Sequence, residues 1–268
     1  MSQALSAPLD VRLMNWTATV LFVGFAVLVL AVGARWVFRH PTFAIHRIVV
    51  QGDLAHNNAL TLRANVAHSI AGNFFTVDLA AARAAFEEVP WVRRAQVRRE
   101  YPGSLRVILQ EHDAVAYWGQ EGSSSMVNIQ GEVFDANTAD ADHDDLPRLI
   151  GPVGQSIDML AMYKALEPVF EPLGIRLSEL ELTTRGGWRL TLDTDAVIEL
   201  GGGSPAMVVQ RTQRFTRTLT QVAAQYHRRP DALESADLRH TDGYAVRLRG
   251  VTVTSDPAQK AAATGIRR

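Results

Sequence analysis

From residue 13 to residue 34 the chain carries no charged side chain, and Arg12 and Arg35 stand at the two ends of that run. At 1.5 Å rise per residue a helix of this length covers roughly 30 Å, the thickness of a bilayer's hydrocarbon core. Its interior holds apolar and small residues with the weakly polar Asn15, Thr17 and Thr19, whereas a core helix of a globular protein normally keeps a polar face. Trp16 and Trp36 stand near its ends, where indole rings settle at headgroup level. A cleaved leader is the rival reading, since Ala31-Val32-Gly33-Ala34 has the small residues of a cleavage site. The run is about twice the usual signal core and the segment before it has a single Arg, so a retained anchor is expected: a tail over 1–12 and a transmembrane helix over 13–38. Arg12 and the amino group face Arg35, Arg39 and Arg47, a count that by itself puts the larger part of the chain in the cytoplasm.

About 225 residues follow the anchor, enough for one large domain or two small ones with real cores. The formal net charge of −1 argues against a nucleic-acid footprint. Positive charge is carried almost wholly by Arg, with Lys164 and Lys260 the only lysines; compositional bias accounts for that as well as Arg-specific recognition does. Cysteine is absent, which excludes disulfides, thiolate catalysis and cysteine-ligated zinc but decides nothing about compartment.

Residues 43–111 read as a compact β-α-α-β-β unit. A strand over 45–50 stops at Gly52-Asp53; helical spacing follows at Leu60, Arg63, Val66, Ala67 and Ile70, and again at Leu79, Ala82, Arg83 and Phe86. Gly72-Asn73 separates the two helices and Val89-Pro90 ends the second. Strands over 91–99 and 105–111 join through Tyr101-Pro102-Gly103-Ser104, a turn in which Pro fixes φ and Gly accepts a positive one. Two helices on one face of this sheet bury Val49, Val66, Ile70, Phe86, Val97 and Val107.

From Ala114 the pattern turns richer in strands. Residues 126–134 form a hairpin through Gln130-Gly131, 138–145 an acidic loop, and 158–170 a helix. Trp188, Leu190 and Leu192 alternate with polar residues and lead through Asp193-Thr194-Asp195 to a partner strand over 197–200. Ser204 as N-cap and Pro205 in the first turn open the clearest helix, with Val208, Arg211, Phe215, Leu219, Val222 and Tyr226 at helical spacing. A last strand over 243–253 alternates Tyr244, Val246 and Leu248 against Arg247 and Arg249, and 254–268 reads as a disordered tail.

The stretch Ile45-His46-Arg47-Ile48-Val49-Val50-Gln51-Gly52, with Val89-Pro90-Trp91-Val92, Val97, Tyr101-Pro102, Leu105-Arg106-Val107 and Glu111, resembles a POTRA domain. A POTRA domain after a single transmembrane helix resembles the FtsQ/DivIB family of bacterial cell division proteins. Leu146-Pro147-Arg148-Leu149, Gly151-Pro152, the segment from Trp188 to Leu192, Leu200-Gly201, Asp237-Leu238-Arg239-His240, Gly243 and Ala245-Val246 are similar to that family's β domain. The resemblance runs from the anchor to about Leu248, and its most specific part is the order anchor, POTRA, Asp-Leu-Arg. It implies an α+β chain, with one N-terminal transmembrane helix, a POTRA domain over 43–112 and a β-rich domain over 113–253 that ends in an edge strand.

The same resemblance implies an inner-membrane protein with its N-terminus in the cytoplasm and its bulk in the periplasm, overriding the Arg count, because large domains translocate despite basic flanks. It implies a scaffold at the division septum that bridges early and late division proteins and helps control septal peptidoglycan synthesis. Its partners are an FtsB-like protein paired with an FtsL-like one, bound by strand addition to the terminal strand, and its anchor meets inner-membrane lipid. The positions carried over as partner-binding are Arg185, three before the Trp, His240, where Tyr is common, and Gly243, Tyr244, Ala245, Val246, Arg247 and Leu248, the last where the pattern admits a Trp. His240 and Leu248 depart from that pattern.

Strand addition needs only an edge with unpaired N–H and C=O groups and outward side chains that select the peptide. Arg247 and Arg249 serve either to recognise an acidic partner or merely to discourage edge aggregation. Arg94 and Arg98 read as a solvated face, with contact to anionic lipid the alternative. Signals for catalysis are poor. Asp140, Asp142, His143, Asp144 and Asp145 lack a matching ligand set, Gly201-Gly202-Gly203 lacks a following Lys-Ser or Lys-Thr, and no His-Glu-x-x-His, Gly-x-Ser-x-Gly or Ser-x-x-Lys occurs. No catalytic, cofactor or metal residue is assigned. The competing functional class is a membrane-tethered periplasmic hydrolase or wall-binding factor; an outer-membrane assembly factor would need a cleaved leader and a β-barrel.

Overall fold

The computed structural model describes residues 9–52, 54–57, 62, 66, 70–137, 146–240 and 243–251. Helix α1, Leu9–Arg39, contains the apolar run, and within Asp10–Phe38 an 18-residue stretch has a mean hydropathy of 2.4 with none of it buried. By length and composition it can cross a membrane. The chain divides into two compact units, residues 1–111 and 112–268.

The first unit beyond α1 is a three-stranded sheet in the order β1-β3-β2, with β1 at Arg47–Gly52, β2 at Val92–Glu100 and β3 at Ser104–Glu111. β1 runs parallel to β3, and β2 antiparallel to it. Helix α2, Leu79–Glu87, is capped by Asp78, whose carboxylate accepts the N–H groups of Ala80 and Ala81 at 2.8 and 3.1 Å, satisfying two of the free donors of the first turn. The earlier of the two expected helices lies for the most part outside the described residues; its Leu62 and Val66 are buried with Phe86, Val92, Ala95, Val107 and Leu109.

Three expectations for this core are corrected. Val50 packs against the cluster rather than Val49, because in the parallel register Val50 faces Val107 while Val49 faces Arg106, on the other side of the sheet. Val97, on the edge strand β2, is only half-buried against the cluster, and so is Ile70. Gly103 in the β2–β3 turn is not there for a positive φ. A Cβ at that position would come within 3.0 Å of the Ala44 carbonyl oxygen and of the His46 ring, so close approach is what requires glycine.

Among the described residues the second unit holds a nine-stranded sheet in the order β12-β11-β10-β9-β8-β7-β4-β5-β6. Its strands are β4 Ala114–Trp118, β5 Ser125–Asn128, β6 Val133–Asp135, β7 Arg148–Ile150, β8 Leu177–Leu182, β9 Trp188–Leu192, β10 Val197–Gly201, β11 Leu233–Asp237 and β12 Ala245–Leu248. Helices α3, Ser156–Phe170, and α4, Pro205–Gln225, pack together over one face. The Ser204 hydroxyl accepts the Met207 N–H at 3.4 Å, and Val208, Phe215, Leu219 and Ala223 form the buried stripe of α4 against Ile198 and Leu200. On the opposite face Arg189 donates to Glu181 at 2.9 Å and to Glu199 at 2.8 Å, a charge ladder across three adjacent strands.

The hairpins at Gln130-Gly131 and at Asp193-Thr194-Asp195 form as expected. The acidic loop 138–145 and the tail 254–268 lie outside the described residues. The last strand is shorter than expected. It ends at Leu248 because the Val251 N–H turns back to the Leu248 carbonyl at 3.2 Å, with Gly250 at φ 71°.

Candidate functional site

β12 is the terminal strand of the sheet. Among the described residues it has a strand on one side only, β11, with which it pairs antiparallel in the register Ser235↔Arg247, Ala236↔Val246 and Asp237↔Ala245. Two hydrogen bonds fix which backbone groups face outward. The Leu238 N–H donates to Glu199 on β10 at 2.8 Å, so by two-residue alternation Asp237 and Ser235 turn toward β12 and bond Ala245 and Arg247. Arg249 donates its N–H to the Ala232 carbonyl at 2.8 Å, in step with that parity. The N–H groups of Val246 and Leu248 therefore point to the open edge.

Side chains of the strand sort onto two faces. Tyr244, Val246 and Leu248 lie on the helix side: the Tyr244 ring meets Phe215 edge-on at 5.0 Å and its hydroxyl lies 2.5 Å from that of Thr218, Val246 is half-buried, and Leu248 is buried against the core. Ala245 and Arg247 are exposed on the other face, where Arg247 pairs with Glu234 at 3.3 Å across to β11. Of the residues carried over from the family pattern, then, Ala245 and Arg247 are those on this strand with a fully exposed side chain. Leu248 contributes its backbone to the edge and its side chain to the core. Glu234 was not legible as a partner of Arg247, because their proximity exists only once β11 is known to be a strand.

Arg185 and His240 stand elsewhere. Arg185 is exposed in the turn between β8 and β9; His240 is exposed beyond the end of β11. The alternating strand directions put that turn, the end of β10, the Asp237-Leu238-Arg239-His240 segment and Gly243 all at one end of the sheet. β9 is three strands from β12, about 14 Å at the usual interstrand spacing. The end itself is braced locally. Arg239 grips Asp237 through Nε to Oδ1 at 2.9 Å and Nη2 to Oδ2 at 2.6 Å, holding that carboxyl down at about 2, while Leu238 is buried beneath.

A family model described as Cell division protein FtsQ/DivIB, C-terminal, matches residues 116–239, and one described as POTRA domain, FtsQ-type, matches residues 43–112. The chain is 35% identical over 248 residues to the cell division protein FtsQ of Burkholderia pseudomallei, covering 92% of this chain and 96% of that one. It is 36% identical over 246 residues to FtsQ of Thiomonas arsenitoxydans, covering 91% and 89%, and 35% identical over 256 residues to FtsQ of Bordetella pertussis, covering 89% and 92%. The chain belongs to the FtsQ/DivIB family. Its role is in cell division, and α1 is consistent with a single-pass inner-membrane protein of that family. The FtsQ/DivIB C-terminal match stops at Arg239, so the edge strand β12 lies beyond it.

Proposed function

We propose that this FtsQ-family chain acts by binding rather than catalysis: a division scaffold that joins early and late division proteins at the septum and helps control septal peptidoglycan synthesis. An extended segment of an FtsB-like protein, itself paired with an FtsL-like one, adds to β12. The observation that carries this reading is the open edge of β12, where Val246 and Leu248 offer their N–H groups beside the exposed Ala245 and Arg247. From that edge the partner continues across the end of the sheet, past His240 and Gly243, toward the exposed Arg185, which gives a charge-assisted contact to an acidic side chain. In the cell the N-terminal tail is cytoplasmic and both domains are periplasmic.

Pull-down of the FtsB-like segment by the part of the chain after the helix tests the reading. Val246→Pro keeps the β11 side of the strand intact and removes an outward N–H, so binding is lost while circular dichroism is unchanged. Arg185→Glu weakens binding by about 0.5–1 kcal/mol, as a contact at the rim does. Wild-type binding by both well-folded variants places the docking site elsewhere.

A further inference from the structure

The apolar span of α1 ends at Phe38, and a chain of aromatic rings leads from it into the POTRA fold. Phe38 meets Phe75 at 6.3 Å between centroids, Phe43 meets Phe75 at 5.1 Å, Phe75 meets Phe74 at 5.3 Å, and Phe74 meets Tyr101 at 6.5 Å. These rings do not close into a core: Phe38 is 48%, Phe75 46% and Tyr101 82% exposed. Water is a poor solvent for a contiguous group of this kind, and a built anchor holds it in place. The Asn73 side-chain amide donates to the Phe38 carbonyl, and the Phe74 N–H donates to the Phe43 carbonyl at 2.8 Å. Arg99 clamps the same loop, donating from Nε to the Phe74 carbonyl at 2.7 Å and from Nη2 to the Val77 carbonyl at 2.8 Å. Phe75 therefore lies at the level where the apolar span stops.

Three exposed cations, Arg35, Arg47 and Arg99, stand at this end of the unit. Of the carboxylates there, Glu100 is paired with Arg106 at 2.5 Å and Asp78 is held by the N-terminus of α2. Among the described residues none of the three arginines has a carboxylate partner, and aromatic rings flanked by such cations are what the headgroup region of an anionic bilayer accepts. We propose that the Phe74–Phe75 loop and Tyr101 sit in the headgroup layer of the bilayer that α1 crosses, as a second aromatic tier beyond Trp36, and seat the POTRA unit on the membrane. The proposal rests on α1 being a membrane anchor.

Because the chain has no cysteine, single cysteines can carry a spin label in the full-length protein. Phe75→Cys and Tyr101→Cys each leave the other ring in place. Gly24→Cys marks the apolar run, and Glu88→Cys marks the far end of α2, about 14 Å away along that helix. In vesicles of phosphatidylethanolamine and phosphatidylglycerol, labels at 75 and 101 collide with a water-soluble nickel chelate at least about threefold less often than the label at 88, and more often than the label at 24. If 24 is shielded but 75 and 101 collide as freely as 88, the seating is overturned, the anchor stands, and this face is left to a protein partner. If 24 is itself in water, anchor and seating fall together.

Discussion

Asp237 keeps its carboxylate ionised down to about pH 2 because Arg239 bonds it through two nitrogens and its own backbone N–H. The unfolded chain returns that group to about 3.8, so the unfolded state takes up the proton first. The stability it contributes is therefore present above that value and is lost as the pH falls through about 2. Asp237→Asn should cost under about 1 kcal/mol near neutrality, as expected of a pair screened by solvent, and urea denaturation should show the difference closing between about pH 4 and about pH 2. Glu111 is the opposite case: buried, it accepts the N–H groups of His56 at 2.9 Å and Asn57 at 3.0 Å and the Asn57 amide at 2.9 Å. Glu111→Ala should lower the stability of the POTRA unit by about 3 kcal/mol in urea denaturation, because it strands those donors in the interior. In the sequence Glu111 stands only as a motif residue; its job of locking residues 56–57 to the end of β3 depends on a contact 54 residues away.

At the scale of elements, local signals were legible and long-range ones were not. The two hairpins and α4 could be read because their turns and caps lie within a few residues. β11 was missed because a bulge between Leu233 and Ser235 spaces its buried residues Leu233 and Ala236 three apart, breaking the period of two. β7 has only three residues, and β8 carries Glu179 and Glu181 on the polar face of the sheet. For the candidate site, the alternation of Tyr244, Val246 and Leu248 was visible, but the outward direction of their N–H groups follows only from the pairing with β11. That pairing separates two prolines: Ala245→Pro deletes a bond to β11 and should destabilise the sheet, whereas Val246→Pro should leave the melting temperature within a few degrees. In the first unit, Val107→Asp should abolish cooperative unfolding by burying an unpaired charge, whereas Val97→Asp on the edge strand should cost markedly less in the same thermal melt.

Among the described residues an apolar helix, a three-stranded sheet and a nine-stranded sheet follow in order, and the proposed membrane and partner contacts fall toward opposite ends of the sequence. Reporter fusions after Arg268 should be active only in the periplasm, despite the Arg count around the helix, because domains of this size translocate regardless of their flanking charge. The proposed scaffold role requires β12 to accept a strand. Backbone hydrogen exchange of the part after the helix, with and without the FtsB-like segment, tests this most directly. The amides of Val246 and Leu248 should exchange rapidly in the free protein and become strongly protected in the complex. Unchanged exchange at those two amides, with protection arising on another surface, would contradict it.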